Sequence, residues 1–305
     1  MQVLELRNLK KNFGELEVIK ALNLTVPKHS VFGFIGKNGA GKTTTMKMVL
    51  GFLQPTNGEI YVCGEKVSYG NTSTNNHIGY LPDVPEFYGY MNPKEYLRLC
   101  GEVTGLPKEK TELRSKELLN LVGLEGVSRR IKGFSRGMKQ RLGIAQALLN
   151  EPELLICDEP TSALDPIGRK EILDILSIAR ERTTIMFSTH ILSDVERICD
   201  SIGVLNDGRL VLEGTVSDIK NEKKKDIIQI ELVNREAAER LEAKLKGLPF
   251  VSSSEIIDQC INLKLVKAEQ SDKEIFGLLA REDIPVIRYE HLESSLEDIF
   301  LEVVE

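Results

Sequence analysis

The first part of the chain alternates between hydrophobic and polar residues. Val3–Leu9 and Glu17–Val26 show the two-residue period of half-buried strands, and Asn12-Phe13-Gly14 favours a turn near the point where they meet. Val31–Ile35 is apolar throughout, as in a strand buried on both faces. Further strands are predicted at Glu59–Val62, Leu154–Cys157 and Thr183–Ser188. These segments predict an antiparallel pair followed by the buried strands of an α/β core.

Between these strands the apolar residues follow a helical spacing. Residues 92–149 hold a helical block that separates the early strands from Leu154–Cys157, and we interpret it as an insertion in the α/β core. Asp165 and Pro166 provide a cap and a first-turn proline for a later helix. The predicted helices are Thr44–Leu53, Pro93–Val103, Thr111–Val122, Arg136–Leu149, a helix from Pro166 to about Arg180, and Ser193–Cys199. Asn206-Asp207-Gly208 predicts the turn of a hairpin over residues 203–212.

The charge balance changes near residue 220. Residues 221–305 contain 19 Asp+Glu against 12 Lys+Arg, whereas residues 1–220 contain 27 against 28. The polar run Asn221-Glu222-Lys223-Lys224-Lys225 between them suits a linker. We therefore predict two domains, at residues 1–220 and 221–305.

The second predicted domain has a βαββαβ order followed by a last helix. This order predicts a small ferredoxin-like α+β sandwich. Its elements are strands at Ile227–Val233, Phe250–Ser253, Cys260–Val266 and Pro285–Tyr289, and helices at Arg235–Lys246, Lys273–Ala280 and Leu296–Val304.

A phosphate-binding loop stands between the strand Val31–Ile35 and the helix Thr44–Leu53. Glycine lets backbone N–H groups approach phosphate oxygens, and the helix N-terminus adds partial positive charge. Lys42 is placed to reach the outer phosphates and Thr43 to ligate magnesium. The alternative is a Gly-rich turn with a solvated lysine, and the strand before and helix after weigh against it. The predicted nucleoside triphosphate site comprises Gly36, Lys37, Asn38, Gly39, Ala40, Gly41, Lys42, Thr43 and Thr44.

Two carboxylates end the apolar strand Leu154–Cys157. Asp158 suits the anionic ligand that a magnesium–triphosphate site needs, and Glu159 is placed to orient and deprotonate water. Acidic residues capping a surface strand are the alternative, and the phosphate-binding loop upstream argues against it. The chain is thus predicted to be α/β. It would have a P-loop NTPase core, an antiparallel β subdomain and a helical insertion, plus the small C-terminal α+β domain.

Composition excludes several other classes of protein. The net charge of −6 does not favour nucleic-acid binding, and no apolar stretch approaches the ~20 residues that span a bilayer. Residues 1–6 alternate as a strand does, so we expect no signal peptide. The five cysteines and four histidines are scattered without metal-ligand spacing, as expected for reduced packing residues of a cytosolic protein.

A third motif, residues 134–141, precedes the carboxylate strand. Ser135 can cap the following helix, and Gly137 leaves its first turn open to a close anion. With this motif, residues 1–216 resemble the nucleotide-binding subunit of an ABC (ATP-binding cassette) transporter. The resemblance rests on an ordered set: the loop 36–43, a signature like residues 134–138, the carboxylate strand 154–159, a loop like residues 162–165, and a switch histidine like His190. Phe13 matches the aromatic residue that stacks on adenine in that family.

The resemblance implies a mechanism in which two nucleotide-binding domains enclose two Mg²⁺-bound ATP molecules. Ser135, Arg136, Gly137 and Met138 would form the signature that faces ATP on the partner. Glu159 would be the general base, His190 would hold the γ-phosphate and attacking water, and Asp165 would communicate across the dimer. The implied partners are an integral membrane permease and a second copy of the chain or a paralogous ATPase subunit, with no nucleic acid. The implied location is cytoplasmic, at the inner face of the membrane through the permease.

The sequence departs from the family pattern at two places. The signature is commonly leucine-serine-glycine-glycine-glutamine, and here Arg136 and Met138 differ while Ser135 and Gly137 are retained. The loop that usually carries a metal-facing glutamine has Asp83, which becomes a further candidate metal ligand. Both departures, and the ending at residues 292–300, resemble the export branch that serves drug, peptide-antibiotic or lantibiotic permeases.

Two other functions are consistent with the phosphate-binding loop. A soluble ABC-type ATPase would act on a macromolecular partner without a permease, but such chains usually carry two cassettes or a long coiled coil. A GTPase or small-molecule kinase could use the same loop, but no Asn-Lys-x-Asp guanine-binding motif follows. The predicted function is therefore ATP hydrolysis coupled to transport, most consistent with export.

Overall fold

The computed structural model describes residues 2–222, 227–266, 271–292 and 295–304. The chain divides into two compact units, residues 1–216 with 303–305, and residues 217–302. Of the predicted linker, Asn221 and Glu222 belong to a helix, and Lys223–Lys225 lie outside the described residues. Glu293 and Ser294, in the ending that resembles the export branch, also lie outside them.

The first unit contains an antiparallel and a mainly parallel sheet. Its strands are β1 (Gln2–Phe13), β2 (Leu16–Pro27), β3 (Val31–Ile35), β4 (Asn57–Val62), β5 (Glu65–Lys66), β6 (Ile78–Leu81), β7 (Leu154–Asp158), β8 (Thr184–Thr189), β9 (Ser201–Asn206) and β10 (Arg209–Thr215). The antiparallel sheet has the order β2-β1-β4-β5, and the second sheet has the order β10-β9-β3-β8-β7-β6.

Every neighbouring pair in the second sheet is parallel except β9 and β10. Strands β3, β7 and β8 are buried at every position, which explains why their central residues are apolar; the polar residues of β7 and β8 lie at the strand ends. Because parallel strands end at the same edge of a sheet, the segments after β3, β6, β7 and β8 emerge together. A common core joins the two sheets and includes Leu4 of β1 and Phe34 of β3.

The helices of the first unit are α1 (Lys42–Val49), α2 (Pro93–Val103), α3 (Lys108–Leu121), α4 (Arg136–Ala147), α5 (Pro166–Ala179) and α6 (Leu192–Ile198). Helices α2 to α4 lie between β6 and β7 in the chain, which confirms the predicted helical insertion. Asn92 and Glu95 form a reciprocal capping box at the start of α2, and Asp165 caps α5. Helix α1 ends before the predicted Leu53, because Gly51 follows it with a φ of 70°.

The second unit contains a four-stranded antiparallel sheet of order β12-β13-β11-β14. Its core lies between this sheet and helices α8 and α9, and includes Ile230, Leu241 and Ile275. The elements are α7 (Val216–Glu222), β11 (Ile227–Leu232), α8 (Arg235–Leu245), β12 (Val251–Ile257), β13 (Cys260–Leu265), α9 (Ser271–Arg281), β14 (Val286–Leu292) and α10 (Leu296–Val304). This order and pairing are those of the predicted ferredoxin-like sandwich, and the predicted α/β and α+β fold classes are confirmed.

Candidate functional site

The phosphate-binding loop connects β3 to α1. Gly39 and Gly41 have φ angles of 85° and 111°, which glycine adopts without steric cost. A Cβ at Gly41 would lie 2.4 Å from Ile19 Cδ1, so the loop packs closely against β2. The Lys42 ammonium is buried and donates to the Gly36 carbonyl at 2.7 Å. The loop therefore places a lysine and a helix N-terminus side by side, as phosphate binding requires.

Asp158 ends β7 beside Ser188 of β8, its partner in the parallel register. Ser188 Oγ donates to Asp158 Oδ1 at 2.6 Å, and Thr43 Oγ1 donates to Asp158 Oδ2 at 2.8 Å. Asp158 is only 4% exposed, so both of its carboxylate oxygens are fixed by protein hydroxyls. A hydroxyl and a carboxylate in contact form a set of hard oxygen donors, which fits Mg²⁺.

Glu159 lies between a buried ammonium group and a histidine. Its backbone is left-handed, with a φ of 49°, and its N–H donates to the Ser188 carbonyl at 3.1 Å. Glu159 Oε2 lies 3.0 Å from His190 Nδ1, and Oε1 lies 3.5 Å from Lys42 Nζ. Oε1 is buried and receives no hydrogen bond from the described residues. Apart from its ionic contact with Lys42, this oxygen therefore keeps its hydrogen-bonding capacity unused within the described residues.

Asp83 and Arg136 contact each other. Arg136 Nη2 lies 3.0 Å from Asp83 Oδ1, and Gln140 Nε2 donates to the Asp83 carbonyl at 2.7 Å. Burial, and then the charges of Asp158 and Asp83 among others, raises the pKa of nearby Tyr80 to about 12, so its phenol stays protonated at neutral pH. Two positions that depart from the family pattern thus link the segment after β6 to the start of α4.

The signature segment forms the N-terminus of α4. Ser135 is the N-cap, and its Oγ accepts from the Met138 N–H at 3.2 Å. Asp165 caps α5 in the same way, accepting from the Gly168 N–H at 2.7 Å. Within this chain, these two side chains stabilise helix ends. The aromatic ring of Phe13, at the end of β1, is half-exposed under Lys11 Nζ at 4.7 Å.

A cavity of about 260 Å³ opens where the loop meets the two carboxylates. Its lining consists of Asn38, Gly39, Gly41, Lys42, Thr43, Thr44, Asp83, Asp158 and Glu159. Outside this lining, within the described residues, are Phe13, Gly36, Lys37, Ala40, Ser135, Arg136, Gly137, Met138, Asp165 and His190. Larger cavities of about 440 and 490 Å³ lie elsewhere and contain no predicted site residue. An ammonium group, helix N–H groups and oxygen ligands therefore converge in the smaller cavity, which fits a magnesium–triphosphate group.

Several polar residues that support this site are absent from the sequence-based prediction. Ser188 fixes Asp158, and Gln140 holds the Asp83 backbone, as described above. Buried Asp194 accepts from Thr161 Oγ1 and from an Arg169 nitrogen, both at 2.7 Å, and so secures the segment after Glu159. For Ser188 a signal existed, because it is a polar residue at the end of the apolar strand predicted at Thr183–Ser188.

Removing the Ser188 hydroxyl is expected to destabilise the fold. The Ser188→Ala variant leaves Asp158 Oδ1 buried without this donor, so its free energy of unfolding should fall by about 1–3 kcal/mol. Urea denaturation measures the change. Ser128→Ala, at an exposed position, is the control and should unfold like the parent chain. Equal stability of all three chains would contradict a structural role for the hydroxyl.

Comparisons with known proteins give the class of the chain. Residues 19–162 match the family described as ABC transporter, and residues 214–304 match the C-terminal domain of DrrA1-3-like ATP-binding proteins. The uncharacterized ABC transporter ATP-binding protein YxlF of Bacillus subtilis is 36% identical over 303 residues, 99% of each chain. The bacitracin transport ATP-binding protein BcrA of Bacillus licheniformis is 34% identical over 305 residues, 99% of this chain and 97% of that one. A solved ATP-binding subunit of an ABC transporter has a TM-score of 0.66 at 34% identity, covering 72% of this chain and 93% of its own.

The chain belongs to the ABC transporter family, as the identity over its whole length shows. It is the subunit that binds and hydrolyses ATP, which confirms the predicted resemblance and activity. ATP-binding subunits of this family dimerise and work with membrane permease components. None of the helices in the described ranges is long and apolar enough to span a bilayer.

Proposed function

We propose that this chain drives an exporter by ATP hydrolysis. It would form an ATP-dependent dimer (the sandwich) with a second ATP-binding subunit, and ATP would lie between the two subunits. Two identical or paralogous subunits would each contribute a phosphate-binding loop to one nucleotide and a signature to the other. The observation that carries this proposal is the division of the predicted site residues within one chain. Lys42, Thr43 and Asp158 line a single cavity, whereas Ser135 and Gly137 lie outside it, where a second chain could use them.

Each nucleotide would lie in a composite site, formed by the loop of one subunit and the signature of the other. The subunit that supplies the loop would bind the triphosphate through that loop and Lys42. Thr43 and Asp158 would hold Mg²⁺, with Asp83 as a further candidate ligand, and the bound ion supplies charge neutralisation at the phosphates. Glu159 would take the proton of the attacking water, and His190 would orient that water and the γ-phosphate. Phe13 would stack on adenine, and Asp165 would transmit closure across the dimer.

Export is supported by the relatives rather than by the nucleotide site. One relative is named a bacitracin transport protein, and another, SrtF of Streptococcus pyogenes, is named a lantibiotic transport protein and is 41% identical over 213 residues. We infer a permease that moves a peptide antibiotic or a similar amphipathic compound outward. The chain would then act at the cytoplasmic face of the membrane through that permease. Purification from detergent-solubilised membranes should recover a hydrophobic partner, whereas recovery of ribosomes instead would favour a soluble ATPase.

Mixing two inactive variants tests the composite site. A Lys42→Ala chain lacks the loop cation, and a Gly137→Asp chain places a carboxylate where the partner's phosphate would lie. Gly137 tolerates a side chain in the single chain, because a Cβ there meets only Leu164 Cδ2 at 3.9 Å. Each variant alone should hydrolyse ATP poorly, and the mixture should recover a minor but clear part of the parent activity, because only the mixed dimers are active and each of them has one intact site of two.

The controls separate pairing from folding. Each variant is assayed alone at the total protein concentration of the mixture, and circular dichroism checks that both variants are folded. Mixtures that stay as inactive as their components would contradict pairing between copies of this chain. Activity restored only by a second ATPase co-purified with the permease would identify the partner as a paralogue.

A further inference from the structure

Three side chains of different chemistry converge away from the nucleotide cavity. Cys63, His77 and Glu153 each place a ligand atom within 4.8 Å of the other two. Among the residues that the structure describes, this is the one group of three or more His, Cys, Asp or Glu side chains that could hold a metal ion in this way. Their separation along the chain predicts no metal site, and only the fold brings them together.

The sheet register explains the convergence. His77 directly precedes β6, Glu153 directly precedes β7, and these parallel strands pair from Ile78 with Leu154 onward. The two side chains therefore meet at the amino ends of the strands, whereas Asp158 lies at the carboxyl end of β7. Cys63 reaches them from the turn between β4 and β5, where its φ is 52°.

Both nitrogens of the His77 ring face carboxylates. Nδ1 lies 3.1 Å from Glu153 Oε2, and Nε2 lies 3.4 Å from Glu65 Oε1. A neutral imidazole has one N–H and can donate to only one of these two groups, whereas the protonated ring has an N–H on each side. A metal ion bound at Nδ1 would lie between the ring and Glu153, and Nε2–H would then face the Glu65 carboxylate at 3.4 Å. This is the usual arrangement of a metal-bound histidine and its outer carboxylate.

The Cys63 thiol is also placed to become a ligand. Its sulfur lies within 4.8 Å of the ligand atoms of His77 and Glu153. A thiol binds a metal ion as the thiolate, so binding would release its proton to solvent. Cys63 and His77 are partly exposed and Glu153 is exposed, so an ion can enter from solvent.

We propose that Cys63, His77 and Glu153 bind one Zn²⁺ ion, with Glu65 fixing the orientation of His77. Sulfur, imidazole nitrogen and carboxylate oxygen form a ligand set that suits Zn²⁺ and not the hard ions Mg²⁺ and Ca²⁺. Three protein ligands leave the fourth tetrahedral position to water. The ion ties the β4–β5 turn to the amino ends of β6 and β7, and so joins the two sheets of the first unit.

Cobalt titration tests this site, because Co²⁺ replaces Zn²⁺ in such ligand sets and its thiolate bond gives a charge-transfer band in the near ultraviolet. The full chain, reduced and without nucleotide, should bind one equivalent of Co²⁺ with this band, and Zn²⁺ should remove it. Cys63→Ser should abolish the band, whereas the control Cys260→Ser, at another partly exposed cysteine, should retain it. Glu65→Gln should keep the band but weaken binding by about 10-fold to 100-fold.

ATP binding and the melting temperature show whether the Cys63→Ser variant is folded, so that loss of the band can be assigned to loss of the ligand. The nucleotide cavity lies at the opposite end of the strands, so Cys63→Ser should bind ATP like the parent chain. Zn²⁺ should raise the melting temperature of the parent chain but not that of Cys63→Ser. Absence of the band in a folded parent chain would overturn the proposal. A band that survives Cys63→Ser would do the same, as would weak binding of several equivalents to every variant, since these indicate adventitious metal.

Discussion

A Glu159→Gln chain is expected to bind ATP while turning it over about 100-fold to 10,000-fold more slowly than the parent. The amide keeps the size of the side chain, but it cannot accept a proton from water. Phosphate release under saturating Mg²⁺ and ATP measures the loss. Because hydrolysis would reopen the sandwich, the same variant should accumulate as a nucleotide-bound dimer in size-exclusion chromatography.

The control for this variant is Glu125→Gln, which removes an exposed carboxylate elsewhere in the chain and should leave turnover unchanged. Full activity of Glu159→Gln would remove Glu159 from the role of general base. Loss of both binding and turnover would indicate that the buried contact with Lys42 holds the loop together, since that contact would lose its charge.

Lys42→Ala is expected to weaken ATP binding by about 10-fold to 100-fold, because a charge-assisted contact contributes about 1.5–3 kcal/mol. In the structure, Lys42 Nζ donates to the Gly36 carbonyl and lies 3.5 Å from Glu159 Oε1. The variant loses the cation that would meet the outer phosphates, and Glu159 keeps an unpaired negative charge close to them. Isothermal titration calorimetry measures the affinity.

Lys47→Ala is the matched control, because Lys47 is exposed on the same helix, α1. It should bind ATP like the parent chain. This result would show that affinity depends on where the positive charge lies and not on the loss of one positive charge as such. An unchanged affinity in Lys42→Ala would contradict the predicted contact between this lysine and the phosphates.

The sequence predicted the fold best where local signals were long and agreed with each other. The apolar runs at β3, β7 and β8 and the capped helices α2 and α5 were predicted correctly, as was the βαββαβ order of the second unit. Strand β6 was missed because it has four residues, including Gly79, and lies at a sheet edge. A Cβ at Gly79 would lie 2.2 Å from the Ala147 carbonyl, so this glycine is required by the close approach of α4.

The candidate site was predictable where its residues lie next to one another in sequence. The loop 36–43 and the pair Asp158 and Glu159 are such cases, and the structure brings both to one cavity. Contacts that depend on strand register or tertiary packing left no local pattern. The bond from Ser188 to Asp158 and the meeting of Cys63 with His77 are of this kind, because each joins segments that are distant in the chain.

The contact between Asp83 and Arg136 couples two positions that depart from the family pattern. Arg136 is the first residue of α4, where a cation is disfavoured by the helix dipole, and the carboxylate of Asp83 offsets that charge. Exchanging either residue alone removes the charge that faces its partner, and at these half-exposed positions the cost is up to about 1 kcal/mol. Residue 83 and residue 136, each at one of the two departures, are therefore linked by one surface ion pair, so the effect of changing one depends on which residue occupies the other.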